Sequence, residues 1–404
     1  MSMTVKNLTY FDNKEEHGPI YDWGAVFREY RKLNVPGGLY DPTRTPVDKA
    51  HICDIISIRA RGKTTGWLLI GMILNQMYGC TTAYVRQVED MTAPVNASEL
   101  FDIICTYKRG YYVEQITKGE YNSIMIQDRR AYFCRVNEMG EVTAKAENPW
   151  LNLLSIDRAP FYKSALNLPN CNLIIFDEFI SPRYADNEFV QFNDLLSTVI
   201  RKRRTPIVVM LANNITSQSP YFREQEISKE VKKMQIGDAK ILYSSKGTAI
   251  YVEIDKPPKT NRHNSIVNQL FFGFSNPRLA AITGDTTNAW VFDIYPHITH
   301  CDDEKVIDRK LYIDVSGDLL NVEITQRDDL GLVANIHPAF YTYKDSTILT
   351  TGEIDDIRKQ YATGFSAAAI VLWKLYKQNR VFFSDNETGA TFLQYVDMCK
   401  LSRR

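Results

Sequence analysis

The stretch "IISIRARGKTTG", from Ile55 to Gly66, decides how this chain is read. A phosphate-binding loop (P-loop) runs glycine, four residues, then Gly-Lys-Ser/Thr, and Gly62-Lys63-Thr64 supply its second half. Ser57 stands where the first glycine belongs. Before the loop, "HICDIISI", from His51, is apolar and strand-like. After it, "TTGWLLIGMILNQMY" has the make-up of a helix that Gly79 ends. A strand ending before such a loop and a helix beginning within it aim backbone N–H groups and the helix dipole at a phosphate. Lys63 would then reach the β- and γ-phosphates of a nucleotide, and the Thr64 hydroxyl would bind Mg²⁺. The candidate ATP-binding segment is Ser57, Ile58, Arg59, Ala60, Arg61, Gly62, Lys63, Thr64 and Thr65.

Far along the chain, "NLIIFDEF" puts Asp177 and Glu178 after four apolar residues. Strand tips at the carboxyl edge of a parallel sheet form a ligand crevice. There Asp177 would hold Mg²⁺ and Glu178 would polarise an attacking water as general base; the alternative is a solvated pair at a strand end. The next strand, "PIVVMLANN", puts Asn213 at the same edge, either as a catalytic amide holding the lytic water or as a turn former. Just upstream, "IRKRR" (200–204) is either a solvated helix end or an arginine finger offered to a neighbouring subunit.

The first half alternates strand-like and helix-like stretches, which predicts an α/β domain. Core strands are expected at "HICDIISI", "TTAYVRQ", "CNLIIFDEF" and "TPIVVMLANN", with a helix in "EFVQFNDLLSTVIRKRR" crossing between the last two. "GYYVEQ", "NSIMIQD" and "RAYFCRVNE" read as a small β insertion. From about residue 221 the chain turns charged and irregular, which reads as a lid and linker; Pro257-Pro258 breaks regular structure there. A mixed α/β domain is expected beyond, with strands at "VNQLFFGF", "RLAAIT", "AWVFDIY", "KLYIDVS" and "LNVEIT". Helices are expected around 354–377 and 391–401. The predicted domains are 1–227 (P-loop ATPase), 228–263 (lid and linker) and 264–404 (C-terminal).

Composition narrows the rest. Over 404 residues, 48 Lys and Arg balance 48 Asp and Glu, so any contact with nucleic acid must come from local patches. Seven scattered cysteines, none spaced C-x-x-C, read as reduced thiols with neither a disulfide framework nor a zinc site. The N-terminus lacks a signal-peptide core and no apolar run approaches the ~20 residues of a membrane span. The expectation is a soluble, intracellular protein with no membrane partner.

In order and spacing these motifs resemble the genome-packaging ATPases of small short-tailed phages that prime replication with a terminal protein. Members of that family carry arginine as the third P-loop residue, then "FDEFI", then "TV-x-R-x-R", then a strand ending in Asn and soon followed by "PYF". This chain has Arg59, "FDEFI" at 176–180, "TVIRKR" at 198–203, Asn213, and "PYF" at 220–222. "LYDPTRTP", from Leu39, is similar to the family's segment upstream of the P-loop, and "AYVRQ" to its second strand, with Arg86 at the tip.

The resemblance implies a P-loop NTPase domain of the additional-strand catalytic-glutamate type. It also implies a C-terminal domain resembling a vestigial RNase H-like nuclease that has lost its metal-binding acids. "VNQLFFGFSN", read as that domain's first strand, holds no Asp or Glu, whereas Asp285, Asp293, Asp302 and Asp303 keep a nuclease open. By the same resemblance, Lys63 and Thr64 serve phosphate and Mg²⁺, Glu178 activates water, and Arg201 is the finger acting in trans, with Arg203 its competitor. The partners implied are double-stranded DNA, the portal of the procapsid, and copies of the chain in a ring of five. Such a motor works in the host cytoplasm, docks transiently on the portal, and is absent from the mature virion. The alternatives are a terminase-like enzyme that also cuts DNA and a nucleotide-binding structural protein without turnover.

Overall fold

A computed structural model describes residues 21–36, 39–58, 61–165, 168, 170–180, 188–200, 206–213, 217, 219–256, 295–298, 304–315, 317–361 and 367–401. They form two compact units, one around a large sheet and one around a smaller one.

The strands of the large sheet are β1 (Ile52–Ser57), β2 (Thr81–Arg86), β3 (Ser123–Gln127), β4 (Arg130–Val136), β5 (Val142–Lys145) and β6 (Leu151–Ser155). They continue with β7 (Cys171–Asp177), β8 (Ile207–Asn213), β9 (Ala239–Tyr243) and β10 (Ala249–Ile254). The order is β3-β4-β6-β2-β7-β8-β1-β10-β9, with β5 paired to β4. From β6 to β10 every neighbouring pair is parallel. Among the described residues, helices α1 (Trp23–Lys32), α2 (Lys63–Tyr78), α3 (Pro94–Thr106), α4 (Tyr111–Ile116), α5 (Ala159–Ala165), α6 (Glu188–Ile200), α7 (Pro220–Glu224) and α8 (Ser228–Lys232) belong to this unit.

The parallel strands have the near-continuous apolar character of a sheet covered on both faces: all seven residues of β7 are buried, as are the last five of β1. Helix α2 is buried along most of its length, including the run Trp67 to Leu74. Each large apolar side chain there contributes up to about 1.5–3 kcal/mol. It lies so close to β2 that a Cβ on Gly71 would fall 2.5 Å from the Thr82 hydroxyl.

Several elements differ from expectation. "GYYVEQ" is not a strand but helix α4, because Tyr112, Val113 and Ile116 are buried at helical spacing and the aromatic content misleads. Within the expected lid and linker, 239–254 instead supplies β9 and β10. β10 pairs parallel with β1, and flanking charge hides its mostly apolar run in the sequence. Strand β6 and helix α3 are additions that the sequence pattern does not signal.

In the second unit, β11 (Lys305–Val315), β12 (Asp318–Arg327), β13 (Gly331–Pro338), β14 (Thr347–Thr350), β15 (Lys359–Tyr361) and β16 (Val381–Phe383) pair in the order β15-β14-β11-β12-β13-β16. Strands β11 to β13 form an antiparallel meander, and β14 joins β11 in parallel. Helices α9 (Ala367–Lys377) and α10 (Asn386–Leu401) bury Leu372, Leu375, Phe392 and Tyr395 in its core. Of the helix expected around 354–377, the described residues show Ala367–Lys377 as helix, whereas 359–361 forms β15. "VNQLFFGF", "RLAAIT", nearly all of "AWVFDIY", and Asp285, Asp293, Asp302 and Asp303 lie outside the described residues. No helix among the described residues is long and apolar enough to cross a membrane.

Candidate active site

Strand β1 delivers the chain to the loop, and Gly62 turns it into α2. Gly62 takes the left-handed conformation (φ 70°), and a Cβ there would sit 3.1 Å from Leu39 Cδ2. Ser57, in place of the usual glycine, uses its side chain: the buried Oγ accepts from Lys63 Nζ at 2.7 Å and donates to Ile58 O at 2.8 Å. The hydroxyl thus ties the amine to the last residue of β1. Asn213, the register partner of Ser57 on β8, offers Oδ1 to the same amine at a long 3.5 Å. Burial lowers the Lys63 pKa to about 8; the Asp177 and Asp255 charges oppose that shift and the Arg61 charge adds to it.

Helix α2 and strand β7 meet at Thr64 and Asp177, where Thr64 Oγ1 donates to Asp177 Oδ2 at 3.1 Å. Two hard oxygen donors side by side at a helix start and a strand tip suit Mg²⁺, which takes few protein ligands. The same Asp177 oxygen accepts from Tyr84 OH at 2.7 Å and Arg86 Nη1 at 3.2 Å, both from β2. Burial, then the Asp177 charge, push the Tyr84 hydroxyl well above its ordinary pKa, so it stays a donor.

Glu178 follows the last residue of β7 with φ 60°, a conformation that costs a non-glycine residue on the order of 1 kcal/mol or more. Its side chain is 51% exposed and accepts from Arg86 Nη2 at 2.6 Å. Behind it, Phe179 N donates to Leu211 O, and Phe176, Phe179, Phe192 and Tyr221 pack ring against ring. Glu188, buried at the start of α6, accepts from Gln87 and Tyr221 and ties the tip of β2 to the "PYF" segment.

The structure therefore brings together Ser57, Lys63, Thr64, Asp177, Glu178 and Asn213 at one edge of the sheet. Ile58, Arg61, Gly62 and Thr65 lie in or beside the same loop. Arg59, Ala60, Arg201 and Arg203 are outside the described residues; α6 is described as far as Ile200, the residue before the arginine run. Sequence reading misses Tyr84, Arg44, Glu253 and Asp255. The last two lie at alternate positions closing a strand at this edge, the signal that marks Asp177, but in a segment whose charge reads as linker.

Strand, glycine turn and helix around a buried lysine, with β7 carrying the facing carboxylates, define a P-loop NTPase-like α/β fold. No protein-family model matches the chain, and no curated protein matches it. Among solved structures it is similar to the Phi-28 gp11 DNA packaging motor, at 17% identity and a TM-score of 0.51, over 90% of this chain and 99% of that one. It is also similar to the bacteriophage Phi-29 viral genome packaging motor assembly, at 17% identity and a TM-score of 0.51, over 90% of this chain and 100% of that one. At such identity the likeness is one of fold, and it extends over nearly the whole of each chain.

Proposed function

We propose that this chain is the ATP-hydrolysing motor that drives double-stranded DNA into a phage procapsid. The observation that carries the reading is the convergence of Lys63, Thr64, Asp177 and Glu178 at one sheet edge. The fold likeness to two packaging motors supplies the biological setting. Because β8 lies between β1 and β7, the arrangement supports the additional-strand catalytic-glutamate type.

In this reading Lys63 grips the β- and γ-phosphates while Thr64 and Asp177 hold the metal. Bound with ATP, Mg²⁺ offsets negative charge on the phosphate oxygens. Glu178 takes the proton of the attacking water, and Asn213 orients that water or senses the γ-phosphate. An arginine of the run after Ile200, Arg201 or Arg203, reaches the γ-phosphate of a neighbour, so each site is completed only in a closed homo-oligomeric ring, five subunits by family resemblance. DNA contacts are to phosphate and indifferent to sequence, and the ring works at the portal in the host cytoplasm.

For domains, 1–227 with β9 and β10 would form the ATPase and 264–404 a vestigial RNase H-like unit. The meander β13-β12-β11 extended by parallel β14 and β15 supports that second assignment. On β11, Asp314 pairs with Lys359 at 2.9 Å, which favours a structural role for that acid over a nuclease metal site. DNA-stimulated phosphate release from Mg²⁺–ATP tests the motor reading and excludes a non-hydrolysing protein. Metal-dependent nicking of DNA would instead favour a terminase-like enzyme.

A further inference from the structure

Asp255 follows the last residue of β10, and its backbone N–H donates to Ile56 O at 2.7 Å, beside the end of β1. Its side chain is wholly buried and takes a different arginine on each oxygen. Oδ2 accepts from Arg61 Nε at 2.8 Å, and Oδ1 from Arg44 Nη2 at 2.7 Å. Arg44 Nη2 also donates to Glu253 Oε1 at 2.7 Å, while Glu253 Oε2 accepts from Tyr40 OH at 3.0 Å and Tyr251 OH at 3.1 Å. Tyr40 N donates to Arg61 O at 2.7 Å. Three distant stretches, 40–44, the phosphate loop and the end of β10, thus close on one another. The Arg61 side chain is only 5% exposed, and a guanidinium that deep is costly unless a carboxylate meets it.

We propose that Asp255 is the positioning residue of the phosphate loop: it holds Arg61 against the end of β10, and Arg61 tethers the loop instead of binding phosphate. A backbone cradle binds phosphate only if its N–H groups keep fixed directions. In a loop whose first glycine is replaced by Ser57, the buried ion pair supplies that fixity. Electrostatics agree: an unpaired Arg61, two residues before Lys63, would repel the lysine's charge, and Asp255 offsets it. The inference rests on the ATPase reading of the site.

The test uses the full chain as wild type, Asp255→Asn, Arg61→Met and the double variant, with a fluorescent ATP analogue and Mg²⁺ for affinity and phosphate release for kcat and KM. Asp255→Asn, which removes the carboxylate charge that holds Arg61, should weaken analogue binding at least ~10-fold. Its kcat at saturation should change by no more than about two-fold, the split expected of lost ground-state binding. Arg61→Met and the double variant should bind about as weakly as Asp255→Asn, since each lacks the same tether and the losses do not add. Three results overturn the inference: Asp255→Asn binding like wild type, a double variant that regains wild-type affinity, or a fall in kcat with KM unchanged. If Asp255→Asn does not fold, the double variant decides: weakened binding supports the inference, and wild-type affinity or a failure to fold overturns it. Wild-type protein that binds no analogue sinks the ATPase reading itself, which separates the two failures.

Discussion

The guanidinium of Arg86 donates to Glu178 Oε2 across 2.6 Å and joins the tip of β2 to the candidate general base. The same group reaches Asp177 Oδ2 at 3.2 Å. Burial works against the Arg86 charge, but Tyr84, Asp177 and Glu178 together hold it firmly cationic. On the ATPase reading, Arg86 would orient Glu178 and compete with Mg²⁺ for Asp177. In Arg86→Ala, half-maximal activity should need less Mg²⁺, while kcat falls on the order of 10- to 100-fold because the base loses its orientation. A Mg²⁺ titration of phosphate release reads both, and unchanged values for both would contradict this role.

The left-handed backbone of Glu178 makes a second prediction. Glycine ordinarily destabilises relative to alanine, but at positive φ the order inverts, by roughly 1 kcal/mol. Glu178→Gly should unfold at higher denaturant than Glu178→Ala, and both should lose turnover. The reverse order in a denaturant titration would mean that the strain is not present in solution.

Asp54 predicts a pH dependence. It lies mid-strand in β1, fully buried, between Met210 of β8 and Val252 of β10. Burial pushes its carboxyl from 3.8 to about 8, against a weaker pull from the Gln225 side chain. The folded protein thus holds a proton that the unfolded chain releases near pH 4, so stability falls as pH rises from about 4 to about 8. Asp54→Asn removes this contribution. Its stability relative to wild type should be higher at pH 8 than at pH 5 when denaturant midpoints are compared. An equal difference at both values would mean that Asp54 is ionised in the fold.

Much of this site is legible in the sequence because its chemistry sits at strand ends. The runs "HICDIISI" and "NLIIFDEF" announce buried parallel strands, and the residues that follow them have few structural reasons to be polar. Ser57 looks like a defect in the loop, since pairing a hydroxyl with Lys63 depends on a side-chain approach that spacing does not encode. The partner of Arg61, Asp255, is hidden for a related reason: it lies in a segment whose charge masks a strand. Tyr84 is invisible for another reason: an aromatic in a β-strand usually packs in the core, and only the neighbouring β7 makes its hydroxyl a donor to Asp177. "GYYVEQ" misleads through composition, its helical period being too short to weigh against two adjacent tyrosines.

The trans assignment can be tested by mixing subunits. Arg201→Ala and Glu178→Gln proteins, each inactive alone, should regain phosphate release when combined, because some interfaces then pair an intact Glu178 with an intact Arg201. Absence of any recovery across mixing ratios would refute a shared site.

The central claim, that this sheet edge hydrolyses ATP, is tested most directly by phosphate release from Mg²⁺–ATP in the presence of double-stranded DNA, measured for wild type and Glu178→Gln. Wild type should turn over and be stimulated by DNA. Glu178→Gln should bind nucleotide as tightly yet release phosphate at least ~100-fold more slowly, the loss expected when a general base is removed. Glu178→Gln turning over at the wild-type rate would contradict the account.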